Sequence, residues 1–397
     1  MESLKAKSNF LITRTPLDFS RYLMEKIDWS WRLVGILGAR GAGKTTLLLQ
    51  YLKRNIGIGN EAMYASLDDI YFSGHTLYNL AQEFSNKGGK YLFIDEVHKY
   101  PSWSAELKNI YDSIPDLNVV FTGSSIIDLL KQDTDLSRRA ITYELNGLSF
   151  REYLALNKTA TIQAIDLRTI LHHHSEISLE LSSQFKPLLH FNNYLKHGYY
   201  PFFIESEELY QRRLEQVLQL TMENDLAFID GYDPRNAFKI KQLLYIIAEN
   251  VPFKPNLVRI SEKIGIHRNT LINYLFYLEK AKIINLLYPS GISVSILQKP
   301  EKIFLNNPNL AWLLSEQTPN KGSLRETFFF NQISAAHIVK APKAGDFEVD
   351  NQWIFEIGGE KKTAKQIHQI PNGYIVSDDI ETGAYQKIPL WLFGLLY

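Results

Sequence analysis

The first third of the chain alternates short apolar runs with longer stretches in which apolar residues recur every three or four positions. Short apolar runs bounded by turn residues are typical of buried strands, and the stretches between them are typical of helices packed on a sheet. This alternation predicts an α/β fold with β-α-β units and a parallel sheet. The predicted strands cover residues 32–38, 62–67, 90–95, 118–123 and 141–145.

The pattern changes after residue 149 and predicts further domains. Residues 149–232 have a mostly helical pattern, which indicates a helical connector. From 233 to 308 the order is helix, helix, glycine turn, helix and two or three short strands, which is typical of a winged helix-turn-helix. Beyond residue 322 a helix, three strands, a helix at 363–370 and a further strand predict a small α/β module. The predicted domains are residues 1–155, 156–232, 233–310 and 320–397.

Composition excludes several classes of function. The 397 residues contain no cysteine, which excludes disulfides, cysteine-ligated zinc, iron–sulfur clusters and thiol catalysis. Lys plus Arg equals Asp plus Glu at 43 each, so any nucleic-acid contact must be local. The first residues lack the apolar run of a signal peptide, and no apolar stretch is long enough to span a bilayer. We therefore expect a cytoplasmic protein without membrane contact.

A phosphate-binding loop is the most specific motif in the chain. The segment GARGAGKT matches G-x-x-x-x-G-K-[ST] and lies between an apolar strand and the apolar-faced helix TTLLLQYLK. Backbone amides of such a loop wrap phosphates, and we expect Lys44 to reach the β- and γ-phosphates and the Thr45 hydroxyl to coordinate Mg²⁺. The expected nucleotide-binding residues are Gly38, Ala39, Arg40, Gly41, Ala42, Gly43, Lys44, Thr45 and Thr46.

Two carboxylates follow the apolar run Tyr91–Ile94, whose carboxyl end should face the same phosphates. We expect Asp95 to hold Mg²⁺ through water and Glu96 to polarise the attacking water. The alternative is that both carboxylates are only solvated at a strand end. One strand separates the two motifs, so we expect the Asp95 strand not to be the next one after the loop helix, as in ATPases with a built-in catalytic glutamate.

Further catalytic candidates lie downstream of these acids. Ser124 follows the fourth predicted strand and could orient the water or sense the γ-phosphate, although serine before IIDLL also suits a helix cap. Arg138 and Arg139 precede the fifth strand, where an arginine can stabilise transferred phosphate. Surface solvation is an equal alternative for this pair. The sequence leaves open whether such an arginine acts in its own subunit or across an oligomer interface.

Motifs along nearly the whole chain resemble one family. They are GARGAGKTTLLLQ, YLFIDEVHKYPSW, FTGSSIIDLL, DLSRRAITYELNGLSFREYL and FEVDNQWIFEIGGEKKT. This chain is similar to a large prokaryotic group of AAA-type ATPases that join a P-loop domain to a C-terminal domain of unknown function. The resemblance implies ATP as the nucleotide, Mg²⁺ dependence, a winged-helix region and a C-terminal module with the restriction-endonuclease fold.

The implied nuclease-like module departs from the nuclease pattern. The resemblance assigns the metal-binding acids to Asp346 and Glu356, with Glu326 as an acid on the helix. Glycine occupies position 358, where the nuclease lysine is expected, so only Lys361 or its neighbour Lys362 could replace it. An active nuclease and a degenerate fold used for packing or binding are both open, and the missing lysine favours the degenerate fold.

The helix-turn-helix segment predicts a local DNA contact. Between residues 235 and 282 there are nine Lys or Arg and three Glu in an otherwise neutral chain. The second helix is apolar almost all round, so we expect it to be partly buried. Arg268, Asn269 and Asn273 are then the candidates for contact with double-stranded DNA.

Three functions fit these motifs. The favoured one is an ATPase that acts as a nucleotide-controlled molecular switch or regulator. An ATP-driven DNA-binding enzyme with a C-terminal nuclease is the second. The third is an interaction module in which ATP is structural and a homo-oligomer or a protein partner is the purpose.

Overall fold

The computed structural model describes residues 1–126, 135–229, 231–249, 254–290, 299–363, 367 and 370–397. The chain divides into two compact units. The N-terminal unit comprises Met1–Gly147 and Glu223–Tyr232, and the C-terminal unit comprises Leu148–Met222 and Asp233–Tyr397. In the part of the chain that is described, no helix combines the length and the apolar character that crossing a membrane requires.

A five-stranded parallel sheet organises the N-terminal unit. Its strands are β1 (Leu33–Gly38), β2 (Ala62–Ser66), β3 (Tyr91–Asp95), β4 (Asn118–Ser124) and β5 (Ile141–Leu145). The strand order is β2-β3-β4-β1-β5, so β4 lies between the loop strand β1 and the acidic strand β3. The predicted α/β fold and parallel sheet are confirmed. The strand after the loop helix is β2, at the sheet edge, and Asp95 lies on β3, so the Asp95 strand is not the next one after that helix, as predicted.

Helices cover both faces of this sheet. They are α1 (Glu2–Arg14), α2 (Leu23–Lys26), α3 (Lys44–Tyr51), α4 (Leu77–Asn86) and α5 (Trp103–Ser113). Every residue of β1 is buried, and its side chains alternate between two cores. Val34 and Ile36 pack in one core, whereas Leu33 and Leu37 pack in the other. The predicted helix after Ser125 lies outside the described residues.

In its described residues, the C-terminal unit is mainly helical and has two small sheets. Its helices are α6 (Phe150–Leu156), α7 (Leu167–Gln184), α8 (Pro187–His197), α9 (Tyr210–Leu220), α10 (Ala237–Glu249), α11 (Leu257–Ile264), α12 (Arg268–Lys280), α13 (Pro308–Leu314) and α14 (Lys321–Ile333). The strands are β6 (Ile284–Leu287), β7 (Lys302–Leu305), β8 (Val339–Lys340), β9 (Phe347–Val349), β10 (Trp353–Gly358), β11 (Gly373–Ser377) and β12 (Lys387–Pro389). Most of the helix predicted at 363–370 lies outside the described residues.

The two sheets of this unit differ in size and direction. Strands β6 and β7 form an antiparallel pair. The larger sheet has the order β12-β11-β10-β9-β8 and is mixed. It is antiparallel from β8 to β10 and parallel from β10 to β12.

Aromatic packing joins the helices of the C-terminal unit. The fully buried Phe328 on α14 contacts Phe191 edge to face, with ring centroids 4.7 Å apart, and it also meets Tyr194 at 5.9 Å. Edge-to-face pairs at such distances stabilise a core beyond their buried area. The buried Asn309 side chain adds hydrogen bonds to the carbonyls of Tyr194 and Leu195 at the end of α8.

We predict that Phe328→Ala lowers the free energy of unfolding by about 3–5 kcal/mol, because it leaves a cavity in this aromatic core. Phe238→Ala is the matched control, since Phe238 is 69% exposed in the same unit and its loss should cost less than about 0.5 kcal/mol. Urea denaturation followed by circular dichroism measures both values. Equal costs for the two variants would contradict the packing described here.

Candidate functional site

The phosphate-binding loop connects the end of β1 to the start of α3. Gly41 and Gly43 have φ angles of 82° and 97°, in the left-handed region that favours glycine. A Cβ atom at Gly38 would collide with the carbonyl oxygen of Leu145 on the neighbouring strand. The glycines therefore meet steric requirements of the loop. They also leave its backbone amides open at the N-terminus of α3, where anions bind.

Arg21 stabilises the backbone of the phosphate-binding loop through hydrogen bonds. Its buried guanidinium donates to the carbonyl oxygens of Ala42, Asn146 and Gly147. These contacts tie the loop to the residues that follow β5. Because charge-assisted hydrogen bonds are strong when buried, Arg21 restricts the movement of the loop backbone.

Lys44 is the first residue of α3 and is buried. Its Nζ donates to the carbonyl oxygens of Gly38 at 2.8 Å and Ala39 at 3.0 Å. Burial lowers the pKa of the Lys44 ammonium, although the nearby carboxylates of Glu96 and Asp95 oppose that shift. Burial removes the Lys44 ammonium from water, and its two partners in the loop are uncharged carbonyls. A bound phosphate would supply the negative charge that stabilises the charged form of this side chain.

Asp95 receives hydrogen bonds from three side chains. The hydroxyls of Thr45 and Tyr64 donate to one carboxylate oxygen at 2.6 and 2.8 Å, and the hydroxyl of Thr122 donates to the other oxygen. Burial and the adjacent Asp95 charge raise the pKa of the Tyr64 hydroxyl. The Asp95 carboxylate and the Thr45 hydroxyl form an oxygen donor set at the loop, and such donors fit Mg²⁺.

Glu96 has a strained backbone at the end of β3. Its φ of 56° is in the left-handed region, which non-glycine residues enter at a cost that is common in functional sites. Its amide donates to Asp95 Oδ1 at 3.1 Å. One oxygen of its side chain, Oε2, lies 3.3 Å from His98 Nε2 and 3.5 Å from Lys99 Nζ.

Ser124 ends β4 and is buried. Its amide donates to His98 Nδ1 at 3.3 Å. Because Nδ1 accepts, the proton of the neutral His98 ring is on Nε2, the nitrogen that faces Glu96. The sequence prediction placed Ser124 near the site through its hydroxyl, whereas the contact found here is made by its backbone.

The two arginines of the DLSRRA segment are not part of this cluster. Arg139 forms a two-bond ion pair with the Asp112 carboxylate, at 2.8 and 3.0 Å. Arg138 is exposed, and so is Thr46 on α3. The structure therefore brings together Lys44, Thr45, Asp95, Glu96 and Ser124 among the predicted residues, without Arg138 and Arg139.

Sequence analysis missed several residues of the site, which include Tyr64 and Thr122 on Asp95 as well as His98 and Asp225. His98 comes two positions after Glu96, and this close spacing is a signal that could have identified it. Asp225 carries no such signal, since it lies 185 residues from the loop residue that it contacts. Arg40 donates from Nε to Asp225 Oδ2 at 3.1 Å and from a second nitrogen to Oδ1 at 2.5 Å.

A second cluster of charges lies in the C-terminal unit. Lys302 Nζ is 3.2 Å from Glu326 and 3.5 Å from Asp346, and the Asp346 carboxylate also accepts from the amide of Ile357. Lys362 Nζ is 2.5 Å from the buried carboxylate of Glu356. Of the two substitutes considered from the sequence, Lys362 therefore lies at Glu356, whereas Lys361 is exposed.

Lysine side chains are the cations that lie beside the acids of this second cluster. Within the described ranges, no group of three or more His, Asp or Glu side chains is arranged to hold a metal ion. Lys302 and Lys362 are the cationic partners of the three acids, and the second oxygen of Glu356 is buried without a hydrogen bond to the described residues.

The helix-turn-helix candidates lie at the start of α12. Arg268, Asn269 and Asn273 are exposed. Gly265 ends α11 with a φ of 65°, which makes the turn between the two helices. Four apolar side chains of α12 are buried: Leu271, Tyr274, Leu275 and Leu278.

Two family models match the chain. Residues 30–154 match a model described as an AAA domain, and residues 188–321 match a domain of unknown function (DUF8612). The first match covers the sheet, the loop and the acids described above. Residues 30–154 are thus similar to an AAA domain, which supports an AAA-type ATPase domain in this part of the chain.

Similar chains and structures were also found. The chain is 27% identical to an uncharacterized protein of Methanocaldococcus jannaschii over 440 aligned positions, which cover 97% of this chain and 92% of that protein. AMPPCP-bound DnaA from Aquifex aeolicus is 17% identical with a TM-score of 0.28, covering 65% of this chain and 85% of that one. A replication initiator DnaA bound to AMPPCP and single-stranded DNA is 19% identical with a TM-score of 0.30, covering 70% and 93%.

The pH dependence of stability provides a test of the second cluster. Burial, together with the charge of Asp346, raises the pKa of Glu326 from 4.5 to about 6, although Lys302 opposes the shift. Between these two values the folded protein keeps a proton that the unfolded chain has lost. Stability from this group therefore decreases as pH rises through that window, by about 2 kcal/mol in total.

We predict that Glu326→Gln removes this decrease. Its stability relative to the unsubstituted protein should be about 2 kcal/mol more favourable at pH 7 than at pH 4. Urea unfolding across this pH range measures the difference, with Glu316→Gln as the control because Glu316 is exposed in the same unit. Parallel stability profiles for Glu326→Gln and the unsubstituted protein would contradict the raised pKa.

Proposed function

We propose that this protein is a Mg²⁺-dependent ATPase that acts as a nucleotide-controlled molecular switch. The observation that carries the proposal is the hydrogen bond from Thr45 to Asp95, at the start of the phosphate-loop helix. It brings a P-loop hydroxyl and an acidic strand end to one point, which ATP hydrolysis requires. The match of residues 30–154 to an AAA domain supports the same function.

Each residue has a defined task in this proposal. The loop amides and the Lys44 ammonium bind the phosphates, and Thr45 with Asp95 would hold Mg²⁺. When bound, Mg²⁺ neutralises phosphate charge. Glu96 accepts the proton of the attacking water, and Tyr64 with Thr122 keeps the Asp95 carboxylate in one orientation.

The connectivity of the chain supports a switch. Glu223–Tyr232 belongs to the N-terminal unit, although the chain on both sides of it belongs to the C-terminal unit. Asp225, within this segment, contacts the phosphate-binding loop through Arg40. A change in the position of Arg40 in the phosphate-binding loop would therefore affect Glu223–Tyr232, a segment whose chain continues into the C-terminal unit.

We predict that Glu96→Gln lowers the ATP hydrolysis rate roughly 10²- to 10⁴-fold, because a general base contributes about this much. Binding of ATP should be retained, since the amide has the same shape as the carboxylate. Lys44→Ala should lose binding as well as turnover. Steady-state phosphate release and fluorescent-nucleotide titration measure the two effects.

Glu83→Gln is the matched control, because it removes a carboxylate from an exposed ion pair of the same unit. Its hydrolysis rate should equal that of the unsubstituted protein. A Lys44→Ala protein that hydrolyses ATP at the original rate would contradict the proposed function.

DNA binding is a second candidate function. The order of α10, α11, α12, β6 and β7 supports a winged helix-turn-helix, with the exposed Arg268, Asn269 and Asn273 on its second helix. We expect metal-dependent cleavage of DNA to be absent, because glycine occupies position 358, where the nuclease lysine is expected, and observed cleavage would assign that role to Lys362 at Glu356. The third candidate function is an interaction module, in which ATP is structural and the protein binds a second copy of itself or another protein.

We predict that Arg268→Ala weakens binding to double-stranded DNA roughly 5- to 150-fold, the range for one lost base contact of about 1–3 kcal/mol. Fluorescence anisotropy at several salt concentrations measures the affinity. Arg212→Ala is the matched control, because Arg212 is exposed on α9 of the same unit. Equal affinity of the two variants would contradict DNA contact through α12, and ATPase rates indifferent to DNA would favour the switch without DNA.

A further inference from the structure

Asp225 is a buried acid that the proposed hydrolysis does not use. It ends a π-helical turn, Thr221–Asp225, and precedes the 3₁₀ turn Leu226–Phe228. Isolated π-helical turns are rare in proteins, and those that occur are often found at functional sites. The Asp225 side chain is 2% exposed, so the protein must compensate its negative charge.

The compensation comes from the nucleotide loop itself. Arg40, the third residue of the phosphate-binding motif, holds both oxygens of Asp225 in a two-bond pair. Burial alone would raise the pKa of Asp225, but the contacts with His98 and Arg40 outweigh it and the net shift is downward. The acid is therefore a charged partner of a residue that lies where phosphates bind.

A second contact connects Asp225 to Glu96. Its Oδ1 lies 3.7 Å from His98 Nε2, and the same nitrogen lies 3.3 Å from Glu96 Oε2. Phe228, from the same segment, meets the His98 ring edge to face at 6.2 Å. His98 Nε2 and Glu96 Oε2 are buried and make no hydrogen bond with the described residues. The carboxylates of Glu96 and Asp225 are therefore both close to the Nε2–H group of His98, and neither is its sole partner.

A bound triphosphate changes this balance of charge. The carboxylate of Asp225 is close enough to Lys44 to act on its ammonium, as those of Glu96 and Asp95 are. Added negative charge on the γ-phosphate repels Asp225 and attracts Arg40. A diphosphate brings less charge to this end of the loop, so its effect on the pair is smaller.

We propose that Asp225 is a γ-phosphate-sensing residue that competes with the nucleotide for Arg40. Without a triphosphate, Asp225 holds Arg40 and shares His98 with Glu96. With a triphosphate, Arg40 turns to the phosphate, the segment Glu223–Tyr232 loosens, and His98 is left to position Glu96. This inference rests on the proposed function, since it requires that the loop binds ATP.

Asp225→Asn tests the competition, because it keeps the shape of the side chain and removes its charge. Affinities are measured by fluorescence titration with N-methylanthraniloyl forms of ADP and of a non-hydrolysable ATP analogue. We expect the variant to bind the triphosphate roughly tenfold more tightly and the diphosphate within about twofold of the original value. Glu61→Gln, which removes the acid of an exposed ion pair in the same unit, should change neither affinity.

Equal changes in both affinities would overturn the sensing role and leave a structural ion pair. Arg40→Gln is the second variant, in case Asp225→Asn does not fold, since it removes the same pair from the partly exposed side. It should lose the preference for the triphosphate that the unsubstituted protein has. A retained preference would overturn the proposal.

Hydrogen exchange gives a readout that a merely structural pair would not move. The triphosphate analogue should accelerate amide exchange in Glu223–Tyr232 of the unsubstituted protein, and this response should be absent in Arg40→Gln. Unchanged exchange on triphosphate binding would overturn the proposal. If the unsubstituted protein binds neither nucleotide, the proposed ATPase function fails too. If it binds and hydrolyses ATP while Asp225→Asn changes both affinities equally, only the sensing role fails.

Discussion

The nucleotide site depends on holding one buried carboxylate, that of Asp95, in a fixed orientation. Its two oxygens accept from Thr45, Tyr64 and Thr122, which come from the loop helix, the edge strand and the strand beside β1. A buried carboxylate with unmet hydrogen bonds would be costly, so these partners must stay in place together. The strand order β2-β3-β4-β1-β5 is the arrangement that brings these elements side by side.

Glu96 has fewer constraints than its neighbour. Its backbone is strained, and its side chain lies near Lys99 and the Nε2 atom of His98 without the dense hydrogen bonding of Asp95. A group that must exchange a proton with water benefits from such freedom, whereas a metal-binding group benefits from rigidity. The two adjacent acids thus have environments that suit different tasks, and the difference arises from neighbours on other elements.

In the C-terminal unit, lysine and asparagine side chains are the partners of the buried acids and carbonyls. Lys302 and Lys362 balance three acids there, and the Asn309 amide satisfies carbonyls at the end of α8. Breaking such pairs costs stability because a charge is left buried and alone. The two lysines therefore supply the charge compensation for Glu326, Asp346 and Glu356, the acids that the family resemblance singles out.

The sequence by itself determined the phosphate-binding loop, the five strands and the two acids at the carboxyl end of β3, because each depends on residues adjacent in the chain. A glycine-rich turn and an apolar run specify local backbone geometry without distant partners. Only the tertiary structure decided that Arg40 meets Asp225, 185 residues away, and that Lys362 rather than Lys361 pairs with Glu356. Such pairings depend on which elements pack together. Many weak contacts, spread over the whole chain, select this packing, and they leave no local pattern in the sequence.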